Sequence, residues 1–210
     1  MKYGEKYKAL HQGASYKIKE RNGEWRTKAV NGSYGDGSGW KTILKETKKW
    51  ISENPASMIL DYGCGSAQVW HQRKGIYNGE KYTKPGRRVP EKYDAMTLME
   101  FLGENVAGFY RYDPCHPIYH VRPPQAKFDM TVCTDVVEHV PLEELPALLR
   151  DLADLTCTCG VIVLSIPNSP SHAHFMDGEN MHVTLMHPNE WKKLIRKYIP
   201  KHKLIVNFTK

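Results

Sequence analysis

Met58-Ile59-Leu60-Asp61-Tyr62-Gly63-Cys64-Gly65-Ser66 decides how the rest of this 210-residue chain is read. Met58 to Tyr62 is an apolar run of strand length that passes without a spacer into Gly63-Cys64-Gly65. Glycines there let backbone approach a ligand closely before the next helix begins. Asp61 stands at the strand end, and a second acid, Asp113, closes the next strand in Gly108-Phe109-Tyr110-Arg111-Tyr112-Asp113-Pro114. Ligands of such sheets lie outside the carboxyl ends of the strands, so both acids flank one crevice, where a carboxylate can accept two ribose hydroxyls. A dinucleotide fingerprint would want glycine at position 68, which is Gln68, and has no use for an acid two residues ahead of its first glycine. NAD is therefore disfavoured.

Outward from this turn, strands alternate with helices. Trp40, Ile43, Leu44, Thr47 and Ile51 share a helical face that Asn54-Pro55 ends. Asp94 to Glu104 is helical in pattern, Phe128 to Cys133 is a strand, Leu142 to Leu155 is an amphipathic helix, and Gly160 to Ile166 is a buried strand. His187-Pro188-Asn189-Glu190-Trp191 opens a helix with proline in its first turn, and Lys203 to Phe208 is a last strand. The alternation predicts an α/β, Rossmann-like fold with a mostly parallel sheet and helices on both faces. Residues 1–39 show no sustained period and form a basic segment or lid ahead of a domain over 40–210.

Charge is unevenly placed. Residues 1–50 carry 12 Lys/Arg against 5 Asp/Glu, residues 94–191 carry 4 against 14, and residues 192–210 carry 7 against none. An acidic middle thus lies between basic ends, as expected of lysine-rich helix surfaces, or of a basic rim that draws an anionic acceptor toward an acidic centre. Five scattered cysteines make no CxxC pair, and the polar N-terminus carries no leader pattern, which points to a reduced, cytoplasmic setting. Val161 to Leu164 is far too short an apolar run to span a membrane.

The ordered set resembles class I S-adenosylmethionine-dependent methyltransferases over roughly residues 40–208. The first motif is Met58 to Ser66, and the second acidic motif is Tyr112-Asp113-Pro114. The fourth strand and following helix are Phe128-Asp129-Met130-Thr131-Val132-Cys133-Thr134-Asp135-Val136-Val137-Glu138-His139-Val140-Pro141, and the fifth strand is Gly160 to Asn168. The resemblance implies S-adenosylmethionine as cofactor, held by Asp61, Gly63, Cys64, Gly65, Asp113, Pro114 and Thr134, with Asp61 near its amino-acid end and Asp113 on its ribose. Three departures stand out. Asp113 follows Asp61 by 52 residues, where about 20 is usual, which marks residues 71–105 as an insertion. Only 15 residues separate Asp113 from Asp129, so the third strand is reduced and the adenine contacts stay open. Alanine occupies position 67, where many relatives have glycine.

Asp135, Glu138 and His139 are spaced i, i+3, i+4, so on a helix after the fourth strand they would share one face at the cofactor's edge of the sheet. The loop after Pro167-Asn168 adds His172, His174, His182 and His187. Acid-x-x-Glu-His, then Pro-Asn, then a histidine is similar to the small-RNA 3′-terminal 2′-O-methyltransferases and the quinone-pathway O-methyltransferases. That match implies a metal on Asp135, Glu138, His139 and His182, with Asp135 standing where those enzymes carry Glu. Two oxygens and two imidazoles suit Mg²⁺ poorly as a pure set, and Mn²⁺, Fe²⁺ or Zn²⁺ better. In metal-free methyltransferases with Glu-His at this place, the pair braces the helix, while His172, His174 and His187 read as loop surface or helix start.

The sequence thus predicts methylation of a hydroxyl, helped by Mn²⁺ or Mg²⁺, or by His139 or His182 as catalytic base without a metal. The expected acceptor is a small molecule or a nucleotide or RNA, phosphate-bearing if the basic segment docks it. The alternatives are metal-free N- or C-methylation of a small molecule and a non-catalytic, RNA-associated subunit. DNA base methylation is disfavoured, since no Asn/Asp-Pro-Pro-Tyr or Pro-Cys follows the fourth strand.

Overall fold

The computed structural model describes residues 3–30, 38–71, 76–77, 95–123 and 128–209. In chain order its elements are α1 (Tyr3–His11), β1 (Ser15–Lys19), β2 (Trp25–Ala29), α2 (Leu44–Glu53), β3 (Ser57–Tyr62), β4 (Ile76–Tyr77), β5 (Ala95–Met96) and α3 (Leu98–Leu102). They continue as β6 (Val106–Tyr112), β7 (Phe128–Thr134), α4 (Leu145–Leu155), β8 (Thr156–Pro167), β9 (Ala173–His174), α5 (Pro188–Tyr198) and β10 (Lys203–Thr209).

Five strands form the central sheet in the order β10-β8-β7-β3-β6. Every pairing in it is parallel. A parallel sheet is covered on both faces, so its strands are apolar throughout rather than alternating with polar residues. β3 shows this: Ile59, Leu60 and Tyr62 are all buried, and the acid Asp61 is buried with them near the strand end. Ile59 faces one core, with Met130, Val132, Val161 and Val163 of the neighbouring strands, under Trp50 and Ile51 of α2 and Phe101 of α3. Leu60 faces the other, with Cys133, Ile162 and Leu164, under Leu145, Leu149 and Leu152 of α4 and Trp191 and Ile195 of α5. A buried leucine of this kind contributes about 2 kcal/mol relative to exposure.

The sheet ends at β6. No strand lies beyond it among the described residues, and 113–123 crosses that side as loop. Arg122 fastens the crossing by hydrogen bonds from Nε (3.1 Å) and Nη2 (2.7 Å) to Asp151 of α4. The helix expected over Asp94 to Glu104 is shorter. Ala95–Met96 pairs with Ile76–Tyr77, and Thr97 then caps α3 in a reciprocal box with Glu100. The rest of the expected insertion, with Arg73, Lys74, Lys81, Lys84, Arg87 and Arg88, lies outside the described residues.

The first segment carries more structure than its composition suggests. α1 packs Tyr7 and Leu10 against Phe175 and Met181, and β1 pairs antiparallel with both β2 and β9. The start of the chain therefore shares a sheet with the loop that follows β8. Among the described residues, no helix is long and apolar enough to cross a membrane.

Candidate active site

β3 delivers its turn to the carboxyl edge of the sheet. The Gly63 N–H donates to the Tyr112 carbonyl at 2.7 Å, and the Gly65 N–H donates to Asp113 Oδ2 at 3.0 Å. Gly63 has φ +76°, and a β-carbon there would lie 2.3 Å from Val136 Cγ2. Only glycine meets both conditions. Asp113, at the end of β6, is buried, and its Oδ1 accepts from the Cys115 N–H at 2.8 Å. One carboxylate thus ties the β3 turn to the β6 turn.

A cleft of about 780 Å³ opens over these turns. Gly63, Gly65, Asp113 and Pro114 form one wall, Asp135, Val136 and His139 another, and Gly4, Tyr7 and His11 of α1 overhang it. Of the expected cofactor residues, Asp61, Cys64 and Thr134 sit behind this surface rather than on it. The Asp61 carboxylate is sealed beneath the turn, where Oδ2 accepts from Trp70 Nε1 at 2.6 Å. Burial pushes its pKa up to about 6, against the lowering effect of that hydrogen bond. The Cys64 side chain points into the core, and burial raises its thiol far above the ordinary value. Thr134 is buried at the end of β7, with Gly39 packed close over its hydroxyl.

Glu138, His139 and His182 bring one donor atom each within 4.8 Å of one another. Glu138 Oε1 lies 3.5 Å from His139 Nε2 and 4.0 Å from His182 Nε2. Glu138 is fully buried, and among the described residues no side chain donates a hydrogen bond to its carboxylate, whose polar support comes from the backbone at Val136 and Glu138. His139 Nδ1 is 2.8 Å from the Met181 carbonyl, and His182 Nδ1 is 2.6 Å from the Ser169 carbonyl. A carbonyl can only accept, so each ring carries its proton on Nδ1 and turns the Nε2 lone pair toward the carboxylate. Burial, with the Asp135 charge adding to it, raises the Glu138 pKa well above the carboxylate range. Burial lowers His139 to about 4 and also lowers His182.

Asp135 corrects the expected ligand set. After β7 the chain turns at Asp135 with φ +54°, and Val137–His139 is a single 3₁₀ turn rather than the start of a long helix. No helical face is shared, and Asp135 lies outside the three-donor cluster, exposed on the cleft wall. His182 reaches the cluster because Asn180 pins its backbone, with Oδ1 accepting from the His182 N–H at 2.8 Å. The Thr184 N–H also donates to the Glu138 carbonyl at 3.0 Å. His172 is exposed, and His187 caps α5. His174 bonds Asn180 instead of joining the cluster.

Read from the sequence, His11 has no role, and Tyr7 is marked only as one aromatic of the basic first segment. The Tyr7 hydroxyl is 2.6 Å from His139 Nδ1, and His11 Nε2 is 3.8 Å from Asp113 Oδ2. Their i, i+4 spacing was the available signal, since it places both on one side of a helix, but one helical turn gives too little pattern to see.

A family model described as a methyltransferase domain matches residues 39–204. Comparison with curated proteins finds no match. Among solved structures, the chain is similar to the magnesium protoporphyrin IX methyltransferase of Synechocystis PCC 6803 with bound SAM. The two are 17% identical, with a TM-score of 0.43, over 77% of this chain and 69% of that one. The family match covers well over half of the chain and includes the glycine turn, Asp113 and the donor cluster. The chain therefore belongs to the methyltransferase domain family, as an S-adenosylmethionine-dependent enzyme of the class I α/β fold.

Proposed function

We propose that the enzyme methylates a hydroxyl oxygen, with a divalent cation held by Glu138, His139 and His182. One observation carries this reading: a sealed carboxylate to which no described side chain donates lies 3.5 Å and 4.0 Å from the Nε2 atoms of two histidines. Three acceptors converging in a dry site repel one another unless a cation or proton lies between them. Two nitrogens and a carboxylate favour Mn²⁺ over Mg²⁺. The fixed Nδ1 protons also match the way metal-bound histidines are oriented by a carbonyl on the far ring nitrogen.

When bound, the donor supplies the methyl group, and the cation supplies a Lewis acid that lowers the acceptor's hydroxyl pKa. The chain's own part is placement. Methyl transfer is an in-line displacement, and its barrier falls mainly through positioning. Gly63 and Gly65 let the donor lie on bare backbone, and Asp113 keeps lone pairs for ribose hydroxyls while it holds the turn. His139 borders the same cleft, which sets the cluster beside the donor. Proton removal by His139 or His182 alone is the weaker reading, because burial lowers the pKa of both rings, that of His139 to about 4, where it is a poor base at neutral pH.

For the acceptor, the outward face of β1 and β2 favours a phosphate-bearing nucleotide or RNA. Trp25 is 51% exposed, edge-on to His174 at 4.6 Å, with Lys19 Nζ 5.8 Å above its ring. Lys17, paired with Thr27, lies on the same face of the ribbon, while Arg26 and Lys28 are exposed on the other. Tyr7 and Tyr16 pack inward, leaving Trp25 as the outward aromatic of the described residues in this segment.

The test is transfer of a tritiated methyl group to RNA, nucleotide, sugar and phenol pools. EDTA should abolish it, and Mn²⁺ should restore it. Glu138→Gln should be inactive yet still bind the donor, whereas Asp113→Ala should lose donor binding. Activity that survives both EDTA and His182→Ala overturns the metal reading.

A further inference from the structure

α1 lies over the cleft, and its contacts do more than cover it. The Tyr7 hydroxyl is 2.6 Å from His139 Nδ1 and donates to the Met181 carbonyl at 3.2 Å. The Nδ1 proton of His139 is therefore shared between that carbonyl and the phenol oxygen. The Tyr7 ring stands edge-on to the His139 ring at 5.2 Å, and His139 stands edge-on to His182 at 4.9 Å. On the adjacent position of α1, Lys6 is clasped by Asp177 at 2.6 Å and Glu179 at 2.5 Å. Those acids belong to the loop that carries Met181 and His182, so the helix is bound to the segment that delivers the third donor.

A ring hydrogen-bonded to one carbonyl can still pivot about that bond. A second polar contact on the same nitrogen, with an aromatic wall against the ring face, removes the pivot and fixes where Nε2 points. We propose that Tyr7 is a positioning residue. From α1 it sets the rotation of His139 so that Nε2 stays on Glu138, which makes the N-terminal helix a working part of the donor cluster. The proposal rests on the metal reading above for its effect on a cation, while the orientation of His139 can be observed without one.

Tyr7→Phe keeps the ring and its packing and removes only the hydroxyl. Mn²⁺ binding should be followed by the paramagnetic resonance of the free ion, with the demethylated donor product titrated by calorimetry as a control. The variant should bind Mn²⁺ about tenfold more weakly, the lower end of what loss of an orienting partner costs, with product affinity unchanged. In metal-free protein, the His139 Nδ1 proton, read by nitrogen-edited NMR, should shift and exchange with water faster than in the wild type. Unchanged Mn²⁺ affinity with an unchanged Nδ1 proton would show that Tyr7 only packs, and would overturn the proposal. If the wild-type protein binds no Mn²⁺, the metal reading fails separately. The Nδ1 proton then decides the role of Tyr7: faster exchange in the variant supports it, and identical exchange refutes it.

Discussion

At position 61 a carboxylate is held under the glycine turn where water does not reach it, and its proton affinity shows the strain. The folded pKa is about 6, against an ordinary 3.8. Between those values the folded protein keeps a proton that the unfolded chain has released, so stability falls as pH rises across this window. The contribution is fully present below about pH 4 and gone above about pH 6, a loss on the order of 3 kcal/mol. Asp61→Asn keeps an oxygen for Trp70 and removes the charge. Urea melts should show the variant more stable than wild type at pH 7, and the two should match near pH 4. Parallel melts at both values would show that Asp61 does not titrate in this range. The sequence could nominate Asp61, Asp113, Glu138 and His139, because their positions follow from strand ends and short spacings. It could not show that Asp135 leaves the donor set, since that depends on a left-handed backbone angle at one non-glycine residue.

Among the elements, α5 shows how much a local pattern can specify. Pro188 fits the first turn, and His187 Nδ1 accepts from the Asn189 N–H at 3.3 Å. Glu190 Oε2 accepts from the His187 N–H at 2.9 Å, which completes the box. Trp191 and Ile195 are buried, while Lys192, Lys193, Arg196 and Lys197 are exposed. Glu190→Ala should cost about 1 kcal/mol. It should also speed hydrogen exchange at the first-turn amides and leave the β8 amides unchanged. Equal exchange in the first turn would mean that proline alone sets the helix start. α1 had no comparable signal: its partners Phe175 and Met181 lie more than 160 positions away, and its 9 residues include too few apolar ones to fix a period. The β1–β2 ribbon was missed for the same reason, because β2 is exposed at every position and has no alternation to read.

Over the whole molecule, the uneven charge seen in the sequence takes on a geometry. The acidic middle supplies Asp113, Asp135, Glu143, Glu144 and Asp151 to the cleft wall, while the basic first segment carries the exposed Trp25. If that segment meets phosphates, bound counterions are released on docking, and the acceptor's KM should rise roughly tenfold between about 50 and 200 mM salt. Donor affinity should barely move. A flat acceptor KM, or one unaffected by Trp25→Ala, would remove the docking role. The parallel order of the sheet was legible because the central strands β3, β7 and β8 are largely apolar and helical patterns recur between strands. The donor cluster was legible only in part, because His182 arrives through a loop held by Asn180. β8 offers one more use. Its final stretch, Val161 to Pro167, runs roughly 20 Å toward the cleft, and Cys159 stands exposed at its other end. Cys64 and Cys133 are buried, and burial lifts the thiols of Cys115 in the cleft wall and of Cys157 to about 11. A maleimide dye or surface tether would therefore attach first at Cys159, anchored to the central sheet while the catalytic edge stays open to solution.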